Sequence, residues 1–222
     1  MIYLHIPKTG GTSLRNAFYL STTPVPFTVA PSHIITLYNI ETFCVFSIRD
    51  PLERFCSGYW ERYTNSRRRQ MNKNVNILFQ GGGYQDLTKQ EQNIFTDFPT
   101  PNHFISGLRD GSLNKTRHNF TDTGLNLLLS SLTFWLGNLE EYKKHEAKVK
   151  EVYELTSLTK IMTKKGINLP SDPFLSRSRK QFKDINQSYK VSEENKKWFI
   201  ESLRAEDYKL IDHIRNQPYY IP

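Results

Sequence analysis

Six consecutive residues near the start of the chain are of the types that hold an anion: Lys8, Thr9, Gly10, Gly11, Thr12 and Ser13. Glycines let the main chain approach a ligand closely, and the free N–H groups of a following helical turn, with the helix dipole behind them, favour negative charge. Lys8 adds a full positive charge, and Thr12 and Ser13 add hydroxyl donors. In a Walker-type loop, GxxxxGK[ST], the lysine follows the last glycine and the next hydroxyl holds magnesium. Here the lysine precedes both glycines, and no GK[ST] occurs in the chain, which argues against an ordinary nucleotide triphosphatase. A second candidate is Arg49, at the end of a later apolar run. An arginine leaving the end of a strand keeps its planar fork free for an anion. Taken singly, the first group also reads as a glycine turn with a solvated lysine, and Arg49 as half of a salt bridge with Asp50 or a later carboxylate.

Two strand–turn–helix units must position these groups. Ile2 to Ile6 read as a short buried strand and Pro7 to Ser13 as a turn into a helix from about Thr12. Ser21 to Ser32, rich in proline and threonine, reads as a loop. Thr42 to Ile48 is apolar, β-branched and aromatic, as a central parallel strand buried on both faces would be. In the helix that follows, Asp50 suits the N-cap, Pro51 the first position and Glu53 the reach-back of a capping box. Leu52, Phe55, Cys56 and Tyr59 give this helix a buried face, and it is expected to run to about Tyr63. Repetition of strand, turn and helix is the grammar of an α/β fold with a parallel sheet.

Further along, Thr64 to Asn93 contains an arginine run and three successive glycines, and reads as an insertion suited to contacts with a variable partner. Pro99 to Asp110 reads as irregular or a short helix and Thr123 to Leu132 as a helix. Thr133 to Gly137 reads as a short buried strand, Asn138 to Leu155 as a charged amphipathic helix, Phe174 to Tyr189 as a basic loop and Ser192 to Arg215 as a closing helix. His5 fits a hydrogen-bonded core residue, whereas His103, His118, His145 and His213 have no evident partner in the sequence.

Composition narrows the classes. With 222 residues the chain suits a single domain, residues 1–222, with a sizeable core. A formal charge of +8 draws polyanions and anionic cofactors alike. No helix-turn-helix, zinc-finger or RNA-binding pattern points to a nucleic acid partner. Cys44 and Cys56 each lie in an apolar run, as buried thiols rather than a disulfide or zinc framework. Paired carboxylates spaced to hold magnesium are missing, so metal-independent chemistry is expected. No apolar stretch reaches the roughly 20 residues a membrane span needs, and the first strand begins at residue 2, so the expectation is a soluble, cytoplasmic protein if the chain is full length.

HIPKTGGTSL resembles the 5′-phosphosulfate loop of sulfotransferases that use 3′-phosphoadenosine 5′-phosphosulfate (PAPS), especially the carbohydrate-type branch that includes the heparan sulfate O-sulfotransferases. FSIRDPLERFCSGY resembles the segment of the same family that binds the 3′-phosphate, with Arg49 and Ser57 at the contacting positions. WLGNLEEYKKHEAKV looks like the family's next strand-then-helix segment. The resemblance covers Met1 to Tyr63 well and the rest in outline. It implies a three-layer, P-loop-like α/β fold with a central parallel sheet flanked by helices. It also implies transfer of a sulfuryl group from PAPS to the hydroxyl of a saccharide or small metabolite. Lys8 through Ser13, Arg49 and Ser57 would hold the donor, with Lys8 at the leaving oxygen. His33, in SHIITL, corresponds to the family's catalytic histidine ahead of the RDP strand and would be the base. Arg179 and Lys180, in a late basic loop, would contact the 3′-phosphate or an acidic acceptor. Eukaryotic relatives of this branch carry a membrane anchor and act in the Golgi lumen, which would apply if the chain were an excised domain. A P-loop small-molecule kinase and a non-catalytic polyanion-binding domain are the alternatives.

Overall fold

The computed structural model describes residues 1–11, 14, 27–30, 35–71, 89–115, 130–167 and 190–222. Five strands are present: β1 (Ile2–Leu4), β2 (Thr28–Val29), β3 (Cys44–Ile48), β4 (Val149–Glu154) and β5 (Tyr220–Ile221). The helices are α1 (Pro51–Met71), α2 (Lys89–Asp97), α3 (Pro101–Arg109), α4 (Ser112–Lys115), α5 (Thr133–Leu136), α6 (Leu139–His145), α7 (Leu158–Lys164), α8 (Glu193–Trp198) and α9 (Ala205–Arg215). The chain divides into two compact units, one of Met1–Arg54, Ser130–Arg177 and Arg204–Pro222, the other of Phe55–Leu129 and Ser178–Leu203.

The first unit holds a five-stranded sheet in the order β2-β1-β3-β4-β5. Every pair is parallel. Because side chains alternate across a strand, the sheet has two distinct apolar faces. Leu4, Cys44, Phe46, Ile48 and Val152 pack with Leu132, Trp135, Leu136 and Tyr142 and with Leu210, Ile211 and Ile214 of α9. On the other face Tyr3, Val45 and Tyr153 pack with Leu14, Leu158 and Met162. Helix, sheet and helix thus form the three layers expected of the α/β fold. All five residues of β3 are buried, as its apolar run requires.

The second unit is built on aromatic packing. Phe55 lies 5.8 Å from Phe104 and 5.4 Å from Phe199 between ring centroids. The Tyr59 hydroxyl donates to the Phe98 carbonyl. Buried Asn195 spends its amide on the Asn102 carbonyl (3.1 Å) and on Ser106 Oγ (2.8 Å), tying α8 to α3.

Several elements differ from the sequence expectations. Thr28–Val29, inside the expected loop, pairs with β1 as a two-residue edge strand. Helix α1 runs on to Met71. The arginines and glutamine past Tyr63 are good helix formers that a change in composition had disguised. The expected insertion at 64–93 is therefore helical at both ends, and residues 72–88 lie outside the described residues. Thr133–Leu136 is one helical turn, not a strand. Its first N–H meets Asp207 Oδ1 at 3.3 Å, and Gly137 at φ +80° ends it, a stop that hydrophobicity alone does not reveal. The charged helix ends at His145, and Val149–Glu154 is a strand hidden within that charge run. The closing helix is two, with a π turn at Phe199–Leu203 and a break at Arg204. Residues 116–129 and 168–189, which include most of one expected helix and the basic loop, lie outside the described residues.

Candidate active site

A sheet ordered 2-1-3-4-5 changes the direction of its winding between β1 and β3. In parallel α/β sheets the crevice outside the carboxyl ends of the strands at such a point is where ligands bind. Here the chain that leaves β1 is Pro7 to Gly11, and the chain that leaves β3 is Arg49 and Asp50. The topology therefore brings Lys8, Gly10, Gly11 and Arg49 to neighbouring strand ends.

The loop after β1 has an unusual backbone. Lys8 adopts φ +67° and Gly10 φ +93°, and Lys8 is the one non-glycine residue at positive φ among those described. A left-handed lysine costs on the order of 1–3 kcal/mol, and such residues persist where their surroundings over-determine them. Those surroundings are identifiable. Thr9 is fully buried, and its hydroxyl donates to the Ile6 carbonyl at 2.9 Å. Ser47 Oγ, from β3, donates to the Thr9 carbonyl and is itself bonded to the Tyr3 hydroxyl on β1. Burial pushes the Tyr3 phenol well above its ordinary value, even against its hydrogen bonds with Ser47 and Thr9, so it stays protonated. A side chain on Gly10 would come within 2.6 Å of Leu158 Cδ2 and 2.8 Å of Leu155 Cδ1, and one on Gly11 would run into the His5 ring. Gly10 is thus required by the turn and by close packing, and Gly11 by close packing. Leu14 N–H donates to Gly10 O at 3.1 Å, so a helical turn starts directly after the loop.

At the end of β3, Asp50 caps α1 as expected. Its Oδ1 accepts from Glu53 N–H at 3.0 Å, and its Oδ2 accepts from the Tyr208 hydroxyl at 3.1 Å. The Glu53 carboxylate does not reach back to complete a capping box. It takes Arg49 Nε at 3.3 Å instead. Behind this junction Arg54 is buried, donating to the Ser130 carbonyl with its guanidinium 5.3 Å from the Trp135 ring centre. Burial lowers the Arg54 pKa to about 10 against the pull of Asp207, which leaves it charged at neutral pH.

Of the residues singled out from sequence, Lys8, Thr9, Gly10, Gly11 and Arg49 gather at the two strand ends. Thr9 turns its side chain inward, onto the Ile6 carbonyl. Ser57 lies partly exposed on the part of α1 that belongs to the second unit. Thr12, Ser13, His33, Arg179 and Lys180 lie outside the described residues. Both cysteines are buried and outside any disulfide, and burial pushes the Cys44 thiol up to about 12, as in an inert core thiol. Of the histidines without an evident partner in the sequence, His103 Nδ1 meets Thr100 Oγ1 at 2.8 Å, and the carboxylates of Glu141 and Glu146 lie 3.2 Å from His145 and 3.0 Å from His213. Among the described residues no cluster of histidine, cysteine and carboxylate has the makings of a metal site, and no helix is long and apolar enough to cross a membrane. Sequence reasoning missed Ser47 and Tyr3. The available signal was a single hydroxyl in the otherwise apolar CVFSI strand.

No curated protein and no solved structure gives a significant match to the chain. A family model does, over residues 1–211, and it spans both the loop after β1 and the Arg49 junction. By that match the chain belongs to the sulfotransferase family and is a transferase of sulfuryl groups.

Proposed function

We propose that the protein transfers the sulfuryl group of PAPS to the hydroxyl of a saccharide or a small metabolite. The observation that carries this reading is the meeting of the Lys8–Gly11 loop and Arg49 at the ends of β1 and β3, the switch point of the sheet. The residues fit such a donor. Two glycines whose Cβ positions are already filled by neighbours leave bare main chain for an anion, and Arg49 supplies a fork for the phosphate that distinguishes PAPS from other adenine nucleotides.

The donor supplies an activated sulfuryl group, and the protein's part is positioning and charge stabilisation, as in the closely related chemistry of phosphoryl transfer. Lys8 and the N–H groups at the start of the helical turn take up the charge that grows on the departing bridging oxygen. Arg49, with Ser57 on α1, holds the 3′-phosphate. His33 removes the acceptor's proton as the new oxygen–sulfur bond forms, a task suited to a neutral imidazole near pH 7. Thr12 and Ser13 add hydroxyls to the loop, Arg179 and Lys180 add charge at the donor or an acidic acceptor, and 64–93 carries contacts to the acceptor. No metal takes part.

Calorimetry with 3′-phosphoadenosine 5′-phosphate and with ADP, without magnesium, tests the donor. The expected result is clearly tighter binding of the bisphosphate, and equal affinity for the two overturns the reading. Mass-detected sulfate transfer from PAPS to a panel of saccharides and hydroxylated metabolites then identifies the acceptor.

A further inference from the structure

We infer that Ser47 is a positioning residue for the donor loop: by holding the Thr9 carbonyl toward the sheet it turns the Gly10 N–H outward to the anion, and Tyr3 fixes the direction of the Ser47 hydroxyl. This rests on the reading that the loop holds the donor.

A carbonyl only accepts, so the bond between Ser47 Oγ and Thr9 O uses the one proton that Ser47 owns. Ser47 must then accept from Tyr3, whose hydroxyl is the donor of that pair. The relay thus runs one way, from Tyr3 to Ser47 to the Thr9 carbonyl. All three residues are fully buried, so water does not compete for any of these groups.

Its effect on the loop comes from peptide geometry. The Thr9–Gly10 peptide is trans and planar, so its C=O and N–H point in opposite directions. With the carbonyl drawn down to β3, the Gly10 N–H faces away from the sheet. The Thr9 side chain fixes the same plane from another side through its bond to the Ile6 carbonyl at 2.9 Å. The sheet register supports the arrangement: Tyr3 lies opposite Val45, and Ser47 is two residues further along the same face. A hydroxyl at position 47 is thereby within reach of both β1 and the loop, while Phe46 and Ile48 belong to the opposite face.

The test uses the full chain labelled with 15N-glycine, in wild type, Ser47→Ala, Ser47→Thr and Tyr3→Phe, titrated with 3′-phosphoadenosine 5′-phosphate. In wild type the Gly10 amide should shift on titration. Ser47→Ala should weaken binding about tenfold or more, lose the Gly10 shift on titration, and move the Gly10 resonance in the free protein. Ser47→Thr, which keeps the hydroxyl, should bind within about threefold of wild type, a rescue that a mere packing role would not give. Tyr3→Phe keeps the ring stacked on Phe27 and should fall between the two, and it carries the test if Ser47→Ala does not fold. Binding and Gly10 shifts unchanged in Ser47→Ala and Tyr3→Phe overturn the inference while leaving the donor reading intact. Failure of wild type to bind overturns the donor reading and the positioning role together, and the free-protein Gly10 resonance still reports whether the anchor exists.

Discussion

Arg49 Nε lies 3.3 Å from the Glu53 carboxylate, so the arginine assigned to the donor's phosphate already has an acidic neighbour one turn along α1. The partners are unequal: the Arg49 side chain is 14% exposed and that of Glu53 62%. An exposed pair of this kind is worth about 0.2–1 kcal/mol, much less than a guanidinium–phosphate fork. Glu53 therefore holds Arg49 ready and competes with the phosphate only weakly. Glu53→Gln should tighten binding of 3′-phosphoadenosine 5′-phosphate by at most about fivefold. Arg49→Ala should weaken it by about tenfold to a hundredfold, the range of a charged hydrogen bond. Calorimetry on both variants checks this, and tighter binding by Arg49→Ala would remove Arg49 from the donor site.

The His5 ring occupies the space that a Gly11 side chain would need, which sets up a double-mutant cycle. Gly11→Ala should destabilise the fold by about 1–3 kcal/mol, as overpacking does. Adding His5→Ala should recover part of the loss, with a coupling on the order of 0.5–3 kcal/mol. Gly10 provides the contrast. Its φ of +93° strains any side chain whatever the space, so Leu158→Ala should rescue Gly10→Ala less well. Urea midpoints of the single and double variants measure both cycles.

Lys8→Ala should abolish turnover, because no other side chain in the loop carries a charge to the departing oxygen. His33→Ala should lower the rate and leave affinity for the donor nearly unchanged. Single-turnover rates and calorimetry separate these effects. Loss of donor binding in His33→Ala, or full activity, would exclude it as the base.

Acid stability should depend on Glu151. Partial burial raises its pKa, but hydrogen bonds from Lys165, at 2.8 Å, and from the Tyr153 hydroxyl outweigh this and hold the carboxyl below its usual range. A depressed carboxylate contributes stability that is fully present above the unfolded value and is lost as pH falls through the folded one. Glu151→Gln should therefore cost up to about 1 kcal/mol at neutral pH, with the difference disappearing in acid. Urea unfolding at pH 7 and at pH 3 tests this, and a penalty that persists at pH 3 would contradict it.

What was legible in the sequence is what neighbours in sequence decide. The loop from Pro7 and the Asp50–Pro51 helix start are both local, and both stand where the residues placed them. Strand β4 was not legible, because Lys148, Lys150 and Glu151 continue the charge pattern of α6 and its pairing with β3 spans about a hundred residues. The turn at Thr133–Leu136 depends on Asp207, from another part of the chain. Ser47 was visible as a lone hydroxyl, but its task appears only once β1, β3 and the loop are brought together. Arg49 combines both readings, since the salt bridge to Glu53 and the place beside the loop coexist.

The order in which strands join the sheet has a consequence for how the protein is made. β1 and β3 come from the first 48 residues, but β4, the other neighbour of β3, is complete only at Glu154. Closing so long a loop before its contacts repay the entropy slows folding, and a ribosome-bound chain keeps one edge of β3 unpaired over that interval. Leu155 and Leu158, which press on Gly10, are synthesised immediately after β4. A nascent chain can thus tether Thr9 to Ser47 early, while the leucines that confine Gly10 arrive only after the sheet has gained its fourth strand.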